Sequence, residues 1–212
     1  MSHRSSVKPA VAGPVASNVR PQIQTAPAQP PMNELTIDAA QSDMRHGYLS
    51  GAPGVFASGV VWLVSGLVAA LSSEEAAVLA LLIGGVAIHP VSIAISRLLG
   101  RPGTHTPGNP LGRLAAESTI WLIAGCAIAY GVHMLRIEWF FPAMLLVIGG
   151  RYLTFQTIYG LRAYWVCGAL LCAAGLGLAL SRAPAVAGVF SGAAIELVFS
   201  AVLFWRAKRV AA

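Results

Sequence analysis

Residues 76–99 read AAVLALLIGGVAIHPVSIAISRLL, and residues 76–96 contain no Asp, Glu, Lys or Arg. An α-helix needs about 20 mainly apolar residues to cross the hydrocarbon core of a membrane. In lipid, only a helix satisfies all of its backbone hydrogen bonds within a single segment. This stretch therefore predicts a membrane-spanning helix, and it decides the fold class.

Further apolar runs of similar length precede and follow this one. Hydrophobic residues make up 56% of the 212-residue chain and charged residues only 10%, whereas a soluble domain has about 25% charged residues. We predict an all-α transmembrane bundle of about six spans within residues 50–206. The other five runs are residues 53–71, 114–135, 139–160, 163–180 and 185–205.

The N-terminal region has a different composition. Residues 1–31 hold six of the 13 prolines, mostly among Ala, Gln, Val and Ser. Such a segment buries too little apolar surface to offset its ordering entropy. We predict that residues 1–49 form a disordered Pro- and Ala-rich tail, with a short interfacial helix at residues 33–49. Residues 207–212 are predicted to form a short basic tail.

The distribution of basic residues predicts an orientation. With six spans and the N-terminus inside, eight Lys and Arg residues lie on the inner side and two, Arg136 and Arg182, on the outer side. The positive-inside rule then places both termini in the cytoplasm, and we expect the protein in the cell inner (plasma) membrane. The same rule accounts for the net charge of +6, so the predicted partner is the lipid bilayer and not nucleic acid. The inner set is Arg45, Arg97, Arg101, Arg113, Arg162, Arg206, Lys208 and Arg209.

Ionisable residues inside the apolar runs are the most informative ones, because each costs about 2.5–3.5 kcal/mol at a helix centre. At a rise of about 1.5 Å per residue, Arg151 and Glu196 lie at a similar depth, and we predict that they form an ion pair. Glu196 also continues a four-residue repeat of small side chains, so it is expected to face protein. The candidate intramembrane polar site consists of His89, Glu117, Arg151, Tyr152, Gln156 and Glu196.

The turn at residues 100–113 is basic and rich in Gly and Pro. Asn109 followed by Pro110 is typical of a helix N-cap and first helical position. Anions bind readily at such helix starts, so Arg101, His105, Asn109 and Arg113 form a candidate loop site. The alternative is an ordinary tight turn between two helices. The turn lacks a Gly-Lys-Ser/Thr ending and is not a nucleotide loop.

The sequence contains no motif typical of an intramembrane enzyme. HExxH, GxSxG, CxxC and paired aspartates are all absent. Cys126, Cys167 and Cys172 lie inside apolar runs and are predicted to be packing residues. No catalytic residue, cofactor or metal ligand is predicted, and enzymatic activity is the least favoured function.

Three stretches resemble segments of a bacterial family of uncharacterised multi-helix integral membrane proteins. They are residues 88–92 (IHPVS), residues 100–119, and residues 141–156 (FPAMLLVIGGRYLTFQ). The resemblance extends over about residues 45–205 and implies a membrane architecture without an established activity. It also implies that residues 109–117 and 149–159 are the signature of the family.

Two functional hypotheses follow. The first is a small transporter-like or permease-like protein with a polar site in the cytoplasmic half of the membrane. There, Arg151 would bind an anionic group or act as counter-ion, and Glu196 or Glu117 would carry a proton or cation; the small molecule or ion carried is unknown. The alternative is a structural or accessory subunit whose intramembrane charges only fix helix packing. Assembly into a homo-oligomer is left open.

Overall fold

The computed structural model describes Met1 and residues 36–211, and these residues form helices and turns without any strand. The all-α prediction is therefore confirmed. The predicted disorder of the tail falls on residues 2–35, which lie outside the described residues. The helices are α1 (Ile37–Tyr48), α2 (Ala52–Leu71), α3 (Glu74–Leu98), α4 (Pro110–His133), α5 (Phe140–Tyr159), α6 (Ala163–Ser181) and α7 (Ala185–Ala211).

Five helical segments are long and apolar enough to cross a membrane. They are the combined α1–α2 segment, α3, α4, α6 and α7. Helix α5 has 20 residues and reaches about 30 Å, but it carries Arg151 and Gln156 and is not among the five. Six apolar helices thus form as expected, and the crossing of the membrane by α5 stays a prediction.

Helix α5, which carries Arg151 and Gln156, is enclosed by other helices. Helix α5 packs against α4, α6 and α7, whereas α3 packs mainly along α2. Nine of the 20 residues of α5 are buried, but only four of the 25 residues of α3. Because polar side chains are costly in lipid, they are expected on the helix that other helices surround.

A sharp bend separates α1 from α2. Leu49, Ser50 and Gly51 all have positive φ, and the Tyr164 hydroxyl donates to the Ser50 carbonyl at 2.7 Å. A Cβ on Gly51 would collide with the rings of Tyr159 and Tyr164, so only glycine fits. The bend directs α1 away from the axis of α2 and across α3, α4 and α5, so the predicted interfacial segment forms a separate helix at one end of the bundle.

Candidate functional site

Glu196 lies on α7 with 0% of its surface exposed. The Tyr152 hydroxyl on α5 donates a hydrogen bond to its Oε1 at 3.0 Å. Ser58 on α2 lies close to the same carboxyl group, and it is also buried. Among the described residues, Oε2 has no hydrogen-bond partner. Three helices therefore meet at one carboxyl group that is only partly satisfied.

The burial of Glu196 follows from the stripe of small residues on α7. Gly188 packs against Phe141 and Pro142 of α5, and Gly192 packs against the Trp62 ring of α2. Side chains at a spacing of four lie on one face of a helix, so Glu196 and Ser200, which are also buried, continue the stripe of Gly188 and Gly192 into the same interface. The small residues let three helices approach closely, and the carboxyl group lies where they meet.

Arg151 is the residue before Tyr152, but it faces α4. Its Nη2 donates to Oγ1 of Thr119 at 2.9 Å, and its guanidinium carbon lies 5.1 Å from the centre of the Phe155 ring. Its Nε is buried and has no hydrogen-bond partner within residues 36–211. The guanidinium group therefore has a neutral oxygen and an aromatic ring as neighbours, and it is not neutralised.

The predicted ion pair between Arg151 and Glu196 is wrong. In the described part of the chain, the two salt bridges are Arg113–Glu117 and Arg136–Glu138. Successive residues on an α-helix point about 100° apart, so α5 cannot turn both Tyr152 and Arg151 toward α7. Glu196 still lies within electrostatic range of Arg151, but the two side chains do not bind each other.

The other members of the predicted intramembrane site are not joined to this cluster. Glu117 is paired with Arg113 at 3.1 Å near the start of α4, and their side chains are 57% and 86% exposed. His89 is exposed on α3, and Gln156 is half-buried on α5. The structure thus joins Tyr152 to Glu196, places Arg151 within electrostatic range of them but directed toward Thr119, and leaves the other three apart.

Sequence reasoning missed Ser58 and Thr119, which contact the buried acid and the arginine. Each is a hydroxyl residue in a long apolar run, and such residues often bond only to their own helix backbone. Thr119 does so as well, donating to the carbonyl of Ala115 at 3.0 Å. The contact of Thr119 with Arg151 depends on the packing of α4 against α5, which the local sequence does not indicate.

The predicted loop site anchors α1. Asp43 of α1 accepts hydrogen bonds from the Thr106 amide at 2.9 Å, the Thr106 hydroxyl at 2.8 Å and the Asn109 side chain at 2.7 Å. Asn109 is the N-cap of α4, as predicted, because its Oδ1 accepts from the Leu111 amide at 2.9 Å. The chain therefore supplies its own carboxylate at this helix start, which favours the alternative of a structured turn.

The remaining loop residues also contact α1 or α4. His105 lies 2.9 Å from the Tyr48 hydroxyl through Nδ1, and Arg101 lies 3.1 Å from Nδ1 of His46. Partial burial raises the pKa of the Asp43 carboxyl, but hydrogen bonds from Asn109 and Thr106 outweigh this effect and hold that pKa below its ordinary value. The negatively charged carboxylate of Asp43 thus holds α1 against the turn through Thr106 and Asn109, and these contacts are called the α1 clasp below.

The described residues contain no group of three or more His, Cys, Asp or Glu side chains that could hold a metal ion. Two surface grooves are lined by apolar residues, and neither includes a predicted site residue. One lies between α6 and α7, at Leu170, Ala194, Ile195, Val198 and Phe199; the other lies between α2 and α3, at Phe56, Ala57, Val60, Val61, Ala87, Ile88 and Val91.

Comparison with known proteins gives a family but no activity. No curated protein and no solved structure matches the chain. The model of a family of unknown function matches residues 37–206, a range that begins at the first residue of α1 and ends within α7. It includes the Glu196 cluster, Arg151 and the turn that binds α1. The chain therefore belongs to this family, DUF7010.

Proposed function

We propose that this protein is a small permease-like membrane protein that binds a proton on Glu196 in the course of transport. The observation that carries the proposal is the fully buried Glu196 carboxyl group, which has one oxygen without a partner among the described residues. An isolated ionised carboxyl group is very costly in an apolar interior. A carboxyl group buried without a bound cation is therefore expected to take up a proton.

A role limited to packing accounts less well for the polar atoms of this cluster. Buried polar groups that serve only structure are normally satisfied, and a partly satisfied network is costly in a low dielectric. Here Oε2 of Glu196 and Nε of Arg151 both lack partners within the described chain. One unsatisfied acidic group and one unsatisfied basic group on neighbouring helices favour a site that binds a proton or an ion during transport. Ionisable residues inside membranes commonly mark such pathways.

The proposal includes an orientation and a location. The end of the bundle that carries α1 faces the cytoplasm of a bacterial cell, and α5 crosses the inner membrane as the sixth span. The bias of basic residues toward this end supports the assignment. Glu196 is 11 residues from the start of α7, so it lies about 17 Å below the outer surface, and a proton must cross about half of the membrane to reach it.

The second candidate function is a structural or accessory membrane subunit. The observation in its favour is the exposure of large apolar side chains on the flanking helices α3 and α4, with Ile83 and Val86 on α3 and Trp121 and Ile123 on α4 all at least 65% exposed. Lipid covers such faces equally well. In this alternative, Glu196 would be a sealed packing residue with a constant protonation state.

The two functions differ in the response of Glu196 to pH. The purified full-length protein in liposomes is treated with a hydrophobic carbodiimide, which modifies protonated carboxyl groups, and the modified residue is identified by mass spectrometry. The proposal expects modification at Glu196 that declines as the pH of the medium rises and disappears in Glu196→Gln. Glu117→Gln is the matched control, because Glu117 is exposed and salt-bridged. Modification that is absent or insensitive to pH would support the sealed subunit.

A further inference from the structure

We propose that Arg151 and Thr119 form an anion subsite and that the transported substrate is a small monovalent oxyanion, such as a carboxylate or nitrate. This inference rests on the proposed function, since it names the class of substrate that would move with the proton of Glu196. Three features of the described residues support it: the unpaired charge of Arg151, the neutral oxygen that Thr119 offers it, and the direction of Arg151 toward α4, away from the hydrogen bond between Tyr152 and Glu196.

Within residues 36–211, the charge of Arg151 has no acidic partner. A guanidinium group has five N–H donors, and in the described residues one of them is used, in the bond to Thr119. One face of the group lies over Phe155. The two acids of the predicted intramembrane site are already engaged, because Glu196 accepts from Tyr152 and Glu117 binds Arg113. The donor edge of Arg151 is therefore available to a ligand.

The oxygen that Arg151 now contacts is a weak acceptor. The Thr119 hydroxyl gives its proton to the carbonyl of Ala115 and accepts from Arg151 through a lone pair. A hydrogen bond from an arginine to an anionic oxygen is roughly twice as strong as one between neutral groups. An oxyanion would therefore displace the hydroxyl oxygen with a gain, and it would also offer a second oxygen to the buried Nε.

Charge balance limits the charge of the ligand. Once Glu196 holds a proton, the centre of the bundle carries the single positive charge of Arg151, and a monovalent anion neutralises it. A proton and a monovalent anion that are transported together carry no net charge. They therefore cross a low-dielectric layer at a much lower electrostatic cost than either ion alone. A divalent anion would leave an uncompensated negative charge, so sulfate and doubly charged phosphate are disfavoured.

The shape of the arginine side chain and its neighbours limit the ligand further. The fork of an arginine matches planar anions that present two oxygens side by side. The side chains of Cys126, Tyr152 and Tyr159 lie within electrostatic range of the guanidinium group, and none of them supplies a second positive charge for a more highly charged ligand. Thr119 is exposed and Arg151 is half-buried, so the subsite lies at the α4 side of the bundle and is not sealed among the helices.

The test is the thermal stability of the purified full-length protein with sodium formate, sodium nitrate or sodium sulfate at equal ionic strength. We expect saturable stabilisation by formate or nitrate, of about 5 °C or more at 100 times Kd, and none by sulfate. The stabilisation should strengthen at acidic pH, when Glu196 is protonated. Arg151→Gln should abolish it, and Arg113→Gln, which alters an exposed arginine of α4, should retain it.

Two further variants test the anion subsite if Arg151→Gln does not fold. Arg151→Lys keeps the charge but loses the fork, and it should weaken formate binding about tenfold. Thr119→Val removes the neutral acceptor, so the variant should be less stable without an anion and should regain stability when formate is added. A wild-type protein that responds equally to sulfate, or to none of the three salts, would overturn the inference. Carbodiimide modification of Glu196 that depends on pH would then leave the proposed function standing.

Discussion

Replacing Tyr152 by Phe removes one oxygen atom and leaves the packing of the ring unchanged. The ring of Tyr152 lies 5.5 Å from that of Phe155 and 5.9 Å from that of Tyr164, and these contacts do not involve the hydroxyl. The change does remove the hydrogen bond to Oε1 of Glu196. Neither carboxyl oxygen of Glu196 would then have a hydrogen-bond partner among the described residues.

The expected magnitude follows from that loss. Leaving a buried acceptor without its donor costs about 1–3 kcal/mol, so Tyr152→Phe should lower the free energy of unfolding by this amount. Tyr159→Phe is the control, because Tyr159 is also buried and stacks on Tyr164 at a centroid distance of 5.4 Å, but it donates no hydrogen bond to Glu196. This control should change stability by less than about 0.5 kcal/mol.

The assay is reversible unfolding of the purified protein by titration of mixed micelles with a denaturing detergent. A double-mutant cycle then isolates the pair. In a Glu196→Leu background the Tyr152 hydroxyl has already lost its acceptor, so adding Tyr152→Phe should be neutral or stabilising. Equal effects of Tyr152→Phe and Tyr159→Phe, or simple additivity in the cycle, would refute the assignment of this hydrogen bond.

Three further predictions concern packing, the α1 clasp and topology. Gly192→Ala should destabilise the protein by about 1–3 kcal/mol in the same assay, because its Cβ would collide with a tryptophan ring. The control is Gly177→Ala, which faces open space and should be neutral or slightly stabilising. Equal effects of the two substitutions would contradict the packing of α2 on α7. The pKa of Asp43 is lower in the folded protein than in the unfolded chain, so the ionised carboxylate stabilises the folded state. This stabilisation is complete above the pKa of Asp in the unfolded chain, about 3.9, and is lost as the pH falls through the lower pKa of the folded state. The protection of the α1 amides, measured as the exchange rate relative to the intrinsic rate at the same pH, should therefore fall below about pH 4. In Asp43→Asn this protection should be low at all pH values, and full protection in that variant would disprove the clasp. Reporter fusions after Arg136 and after Arg162 should lie on opposite sides of the membrane, and a shared side would show that α5 does not cross.

Much of the fold could be predicted from the sequence because its signal is local. Length and apolarity identify a helix in lipid, and each of the six runs forms one. The boundary at Asn109 was also predictable, since an Asn-Pro pair carries its own capping chemistry. The bend at residues 49–51 was not predicted, because its three positive φ values depend on contact with Tyr164, which lies on a distant helix.

The candidate site was predicted only in part. The stripe of small residues on α7 predicted that Glu196 faces protein, and its side chain is fully buried. The ion pair failed because depth along a helix axis says nothing about the direction in which a side chain points around that axis. The clasp by Asp43 has no local signature, since it joins α1 to a turn more than 60 residues later in the chain.

The central claim is that Glu196 exchanges a proton with the aqueous medium, and infrared spectroscopy of the protein in liposomes tests it most directly. Between acidic and alkaline medium, the wild-type difference spectrum should contain the C=O stretching band of a buried protonated carboxyl group. That band should be absent in Glu196→Gln and present in Glu117→Gln, and it should shift in Tyr152→Phe, which removes the hydrogen bond to the carboxyl oxygen. A difference spectrum identical in wild type and Glu196→Gln would mean that the carboxyl group never changes its proton, which would contradict the account.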